Sequence, residues 1–181
     1  MKVAILVGSL RENSYNKTLA TFIQKRYAKD IDGELLDLNL PLYNEDLESD
    51  LPADVVAFKK KVHDADAVLF VTPEYNHSIS GVLKNAIDWA SRITPDLKEK
   101  PGFIVGASMG GLGTVRAQMH LRQILDTMGM RILPANEVFI SAAHTKFDEK
   151  GDLIDEELTH LNGTRSKKHL IRLPLADILS G

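Results

Sequence analysis

The stretch VAILVGSLRENSYNKTLATFIQKRYA, residues 3–28, joins a short apolar run to a segment of helical spacing through a polar loop. Val3–Val7 is β-favouring and stops at Gly8. From Asn16 to Ala28 the apolar residues Leu19, Phe22, Ile23 and Tyr27 recur at the interval of one helix face. A continuous apolar strand feeding an amphipathic helix is the opening unit of a parallel α/β sheet, whose strands are covered on both faces. The run between Lys2 and Gly8 is too short for the core of a secretory signal and far too short to span a bilayer, so it reads as a buried strand.

The alternation continues along the chain. Leu35–Leu38 offers a second short strand, and Pro41 to Pro52 a long connection. Val55, Val56 and residues 59–62 suggest a helix leading into Ala67–Val71, a strand stopped by Thr72-Pro73. After a loop through Ser80, the residues Val82, Leu83, Ala86, Ile87 and Ala90 share one helix face. Phe103–Ala107 is strand-like, helical spacing returns over Val115–Met128 and ends at Gly129, and Val138–Ile140 is a last strand. A charged amphipathic segment, Leu153 to Ile171, closes the chain, with a break expected near Gly163-Thr164. Five such strands alternating with helices predict a doubly wound α/β fold. It is flavodoxin-like: a three-layer sandwich around a five-stranded parallel sheet in the order 2-1-3-4-5. At 181 residues, positions 1–181 read as one domain, large enough to bury a core without disulfide or metal.

Composition narrows the function by exclusion. A net charge of −3 gives no electrostatic reason to expect a nucleic-acid partner. With no cysteine, thiol nucleophiles, iron–sulfur ligation, cysteine zinc sites and a disulfide framework all drop out. Neither a metal site nor a membrane partner is expected, and a cytoplasmic location is consistent with these features.

In open α/β sheets ligands bind beyond the carboxyl ends of the strands, where strand order reverses. Three loops lie at such ends. The first, residues 8–16, leads from a strand to a helix N-terminus, where free N–H groups and the helix dipole favour an anion. Ser9, Ser14 and Asn16 add short polar donors and Arg11 adds charge, a set suited to a phosphate monoester. It is not a P-loop, since no Gly-Lys-Ser/Thr follows. Nor is it the dinucleotide fingerprint, since Gly8 lacks its two partner glycines. The plainer alternative is that Ser14 or Asn16 simply caps the helix. The second loop, residues 72–81, gathers Tyr75, Asn76, His77 and Ser78 after a buried strand, where a planar heterocycle could be met by Tyr75 and by N–H groups beside Asn76. Its plainer reading is a strand-to-helix turn with Ser80 as N-cap. The third loop, Ser108–Thr114, carries Gly110, Gly111 and Gly113, which permit close approach of backbone to a flat ligand. Gly106-Ala107-Ser108-Met109-Gly110 also fits the nucleophile-elbow pattern of hydrolases, with Asp126 or Asp148 and His144 or His160 as formal partners. An elbow needs its helix to begin right after the serine, and here further glycines intervene.

Taken together, GSLRENSYN (8–16), PEYNHSISGVLKNAIDW (73–89) and SMGGLGTVRAQMHLRQIL (108–125) resemble the NADPH-dependent FMN reductase family, which includes quinone, azo-dye and chromate reductases. The likeness runs to about Ile140. It implies non-covalent FMN as cofactor and NADPH or NADH as co-substrate. It implies a small-molecule acceptor (a quinone, azo or nitro compound, flavin or chromate) reduced in a ping-pong hydride cycle, and a homodimer or homotetramer. By the resemblance, Ser9, Arg11, Ser14 and Asn16 hold the phosphate. Pro73, Glu74, Tyr75, Asn76 and His77 line the ribityl chain and ring, and Ser108, Gly110 and Gly111 lie beside the ring edge. The chain departs from the family at Ser80, commonly proline there, and at Thr114, often glycine. The flavin does the difficult chemistry, so no side chain is assigned a catalytic role. A flavodoxin-type electron carrier serving a protein partner is the alternative function.

Overall fold

In the computed structural model, which describes residues 1–133 and 137–154, the opening apolar run becomes β1 (Lys2–Val7). Its side chains enter an apolar layer on either side: Ala4 and Leu6 join one core cluster, Val3, Ile5 and Val7 the other. The same division by alternate residues holds in β3 (Ala67–Val71), where Val68 and Phe70 face the first layer and Ala67, Leu69 and Val71 the second. In β4 (Pro101–Ala107), Ile104 faces the first layer and Phe103, Val105 and Ala107 the second. A strand buried on both faces has no polar face, which is why these runs read as continuous hydrophobic sequence.

With β2 at Asp32–Leu36 and β5 at Arg131–Ile132, every pairing within the sheet is parallel, and the order is β2-β1-β3-β4-β5. The fold is thus the expected α/β, flavodoxin-like arrangement, with two refinements. First, the fifth position is shared. β5 (Arg131–Ile132) pairs with Pro101 and Gly102 at the start of β4, and β6 (Val138–Ile140) pairs with Val105–Ala107 at its end. The chain takes six residue steps from Ile132 to Val138 where β4 takes three from Gly102 to Val105, so a single unbroken ladder is impossible. Second, β2 spans Asp32–Leu36 rather than Leu35–Leu38. Its ladder to β1 begins at Lys2↔Asp32, and as a half-exposed edge strand it is set by backbone pairing, which apolar content does not register.

Helix α1 (Tyr15–Arg26) covers the second layer with Leu19, Ala20, Phe22 and Ile23. Helices α2 (Ala53–Asp64), α3 (Gly81–Ser91) and α4 (Val115–Thr127) cover the first, with Phe58, Leu83, Trp89 and Leu121 among their buried residues. Each fully buried Leu, Ile or Phe contributes about 1.5–3 kcal/mol. The long connection after β2 is tied to α3: Trp89 Nε1 donates to Pro41 O at 2.8 Å, the Tyr43 N–H donates to Asn85 Oδ1 at 2.7 Å, and the Tyr43 and Trp89 rings meet edge-on at 5.0 Å. Lys59 of α2 reaches beneath α3 and donates to the carbonyls of Trp89, Arg92 and Thr94 while pairing with Asp96 at 2.6 Å. The amphipathic segment expected over Leu153–Ile171 lies outside the described residues except for its first two. Leu153 forms an isolated antiparallel bridge with Phe147. Among the described residues no helix is long and apolar enough to cross a membrane. Because the strands run in parallel, the loops after β1, β3 and β4 gather at one edge of the sheet, each opening into a helix.

Candidate functional site

The roots of the first two loops touch. The Gly8 N–H donates to Val71 O at 2.9 Å, continuing the β1–β3 ladder. A Cβ on Gly8 would stand 3.0 Å from Pro73 Cδ and 3.0 Å from Ser80 Oγ, so only glycine lets the loops meet this closely. Ser80 caps α3 by accepting from the Leu83 N–H at 3.2 Å.

Helix N-termini at this edge differ in one respect. At α4 the first N–H, of Val115, donates to Leu112 O. The next two, of Arg116 and Ala117, donate to Glu74 Oε2 at 3.0 and 3.2 Å, and that of Gln118 makes the first helical bond to Thr114 O. Helix α3 has Ser80. Helix α1 has neither: Ser14 occupies its N-cap position without a side-chain cap bond, and no acidic residue lies in the first turn. Among the described residues, the N–H groups of Tyr15, Asn16 and Lys17 have no protein acceptor, and the first helical bond runs from Thr18 N to Ser14 O. Such an end, at the positive pole of a helix, accepts an anion. Ser9 and exposed Arg11 lie on the approach; the Arg11 guanidinium stands 5.8 Å from the Tyr15 ring centroid, and no carboxylate pairs with it among the described residues.

The second loop is a two-residue hairpin. The Tyr75 N–H donates to Ser78 O at 2.9 Å and the Ser78 N–H to Tyr75 O at 3.0 Å, with Asn76 (φ 50°) and His77 (φ 64°) both left-handed. That is the type I′ geometry, which Asn accepts readily and His at some cost. Tyr75, Asn76 and His77 are exposed at its tip and Pro73 is buried at its base. Glu74 faces α4, where its Oε1 also meets Arg116 Nη1 at 3.3 Å. Ser78 Oγ lies 3.2 Å from His120 Nδ1 on the same helix.

The third loop starts where Ser108 donates its N–H to Ile140 O and accepts from the Ala143 N–H. Gly110 and Gly111 are exposed, and a Cβ on Gly111 would meet nothing within 4 Å, so a flat group can reach this backbone. Thr114 is a β-branched residue at φ 72°. It is buried with its Oγ1 where a Cβ on Gly106 would fall. Helix α4 begins only at Val115, and Ser108 Oγ donates to Gly110 O at 3.3 Å, which removes the nucleophile-elbow reading.

Two members of the predicted site are held by protein. Asn16 is buried; its Nδ2 donates to Ala107 O at 2.9 Å and its Oδ1 accepts from the Ala107 N–H at 2.9 Å. Glu74 is held by the α4 terminus. The other predicted residues, Ser9, Arg11, Ser14, Pro73, Tyr75, Asn76, His77, Ser108, Gly110 and Gly111, belong to three loops joined at their roots. Sequence reasoning overlooked Ala107, Arg116 and Ala117. They act through backbone N–H and C=O groups, so residue type carries no mark of it.

Comparison with known proteins gives one consistent picture. The profile of the NADPH-dependent FMN reductase family matches residues 1–145. An NAD(P)H-dependent FMN reductase of Pseudomonas aeruginosa is 44% identical over 164 residues, covering 89% of either chain. A quinone reductase of Escherichia coli is 39% identical over 171 residues, 90% of either chain. Among solved structures, the flavoenzyme NAD(P)H:(acceptor) oxidoreductase FerB of Paracoccus denitrificans superposes with a TM-score of 0.81 at 38% identity, covering 86% of this chain and 87% of its own.

Proposed function

The chain belongs to the NADPH-dependent FMN reductase family, and from that premise we propose that its three loops hold FMN and present it to NAD(P)H and a small electron acceptor. The protein is an oxidoreductase working with FMN and a nicotinamide. The observation that carries the placement is the N-terminus of α1, which no side chain caps, beside α4, capped by Glu74 at two N–H groups, and α3, capped by Ser80 at the Leu83 N–H. There the N–H groups of Tyr15–Lys17, with Ser9, Ser14 and Arg11, would hold the phosphate, and charge-assisted bonds of this kind are the stronger ones. Pro73, Tyr75, Asn76 and His77 on one side and Ser108, Gly110 and Gly111 on the other would line the ribityl chain and ring. The donors and the open glycine backbone fit such a group.

The chemistry FMN supplies when bound is the carriage of two electrons from a nicotinamide to the acceptor, the two substrates reacting in turn. The chain's own part is to anchor, orient and tune it: N–H groups aimed at the ring edge favour negative charge there. Tyr75, Met109 and Leu112 expose apolar surface on the second and third loops. That surface suits planar acceptors such as quinones, azo or nitro compounds and flavins, with chromate a small companion. With Met119 of α4 it is also the surface we assign to a homodimer or dimer of dimers. A cytoplasmic setting completes the reading.

The test is NADPH and NADH oxidation by purified, FMN-loaded protein with a benzoquinone and no added reductase. Turnover well above that of free FMN is expected. A rate no better than free FMN would instead identify an electron carrier that depends on a protein partner.

A further inference from the structure

Ladder geometry exposes a gap at the end of β4. The Thr72 N–H donates to Val105 O at 2.9 Å, so Val105 turns its backbone groups toward β3, and Ala107, two residues on, must turn its own the same way. There β3 has ended: the continued register would set Pro73 opposite Ala107 and call on the Thr72 C=O and the Glu74 N–H, but the chain turns away at Pro73 into the hairpin. The carboxamide of Asn16 serves there instead, exchanging both bonds with Ala107 as a hydrogen-bonded residue of an antiparallel strand would. Asn16 is the second residue of α1, and its own N–H is one of the three vacant groups at that helix end. Ala107 directly precedes Ser108, where the glycine loop starts.

From this geometry we infer that Asn16 is a positioning residue, and that its side chain is not a ligand of the phosphate. It bolts the anion-binding end of α1 to the root of the loop that meets the ring, so one side chain sets the spacing between the two halves of the flavin site. The inference rests on the placement of FMN given above. Both polar atoms of the amide are bonded to Ala107 at 2.9 Å and Asn16 is 4% exposed, so Ala107 fixes the orientation of the amide and only the second, buried Nδ2–H is left over. Losing the bolt leaves a buried N–H and C=O of Ala107 without partners, and the β4 end and third loop shift to satisfy them.

The experiment measures dissociation constants of FMN and riboflavin for wild type, Asn16→Leu and Asn16→Asp, with Arg11→Ala/Ser14→Ala as reference, below the melting temperature of each. Asp keeps an acceptor for the Ala107 N–H but sets a carboxylate against Ala107 O, and it serves if Leu does not fold. Asn16 variants are expected to weaken both ligands, by about tenfold or more, the equivalent of one buried hydrogen bond lost. The riboflavin-to-FMN ratio of Asn16→Leu should stay within about threefold of wild type, because the phosphate contacts themselves remain; Asn16→Asp adds a charge beside the phosphate, so for it the weakened riboflavin affinity is the readout. Loss confined to FMN overturns the inference and makes Asn16 a phosphate ligand. Unchanged affinity for both overturns it too, leaving Asn16 a fold-stabilising residue only. In the reference variant the ratio should collapse; an intact ratio there means the phosphate placement, and not the role of Asn16, has failed.

Discussion

Replacing Glu74 by alanine removes the acceptor for two of the first three N–H groups of α4, bonded at 3.0 and 3.2 Å. No other cap replaces it, since Thr114 is left-handed and makes no side-chain cap bond. Loss of an N-cap acceptor costs about 1 kcal/mol, and loss of a carboxylate from the positive end of a helix about another 0.3–1 kcal/mol. The Arg116 pair adds little, because the arginine side chain is 45% exposed. The expected loss is therefore about 1.3–2 kcal/mol, or roughly 3–8 °C in melting temperature for a chain of this size. Glu74→Gln, which keeps one acceptor and loses the charge, should fall about midway. The assay is thermal and urea unfolding of the flavin-free protein, where no ligand contact contributes. If Glu74→Ala unfolds with wild type in the flavin-free state while its FMN affinity drops, the carboxylate serves the ligand and the capping argument is refuted.

Three further outcomes are expected. His77→Gly should relieve a left-handed histidine in the type I′ turn and stabilise the flavin-free protein by up to about 1 kcal/mol; a lower melting temperature would show that the histidine side chain holds the hairpin. Lys59→Met removes the 2.6 Å partner of Asp96, whose side chain is 2% exposed and keeps His63 Nδ1 at 3.4 Å, while the three carbonyls keep their backbone donors; it should cost about 3 kcal/mol while riboflavin affinity of the folded protein stays unchanged. At Glu48, hydrogen bonds from Arg92 and from the Tyr43 hydroxyl hold the carboxyl below its usual pKa. Its stabilising contribution is then full above the ordinary glutamate pKa and lost as pH falls through the lowered one. Urea unfolding of wild type and Glu48→Gln should accordingly differ at pH 7 and converge in acid; a difference unchanged at low pH would contradict that assignment.

Where a strand is buried on both faces, its residues state the fact directly, and β1, β3 and β4 were legible for that reason. The edge was less so. β2 and β5 are held by ladder bonds that Asp32, Gly33 or Arg131 can make as well as a valine can. The site divides along a similar line. Its loops stood out because polar and glycine residues follow apolar runs at the ligand-binding edge. The tasks of Asn16 and Glu74 did not, because their partners are backbone atoms 91 and 42–43 residues away, and any residue type offers those. Thr114 is the reverse case: its left-handed backbone is one that glycine adopts most readily, while the missing Cβ of Gly106 makes room for the threonine.

The central claim, that the loop from Gly8 to α1 holds the phosphate of FMN, is tested most directly by calorimetric titration of FMN and riboflavin into wild type and Arg11→Ala/Ser14→Ala. The account predicts that wild type strongly prefers FMN and that the double variant loses far more affinity for FMN than for riboflavin. Equal losses for the two ligands would place the phosphate elsewhere.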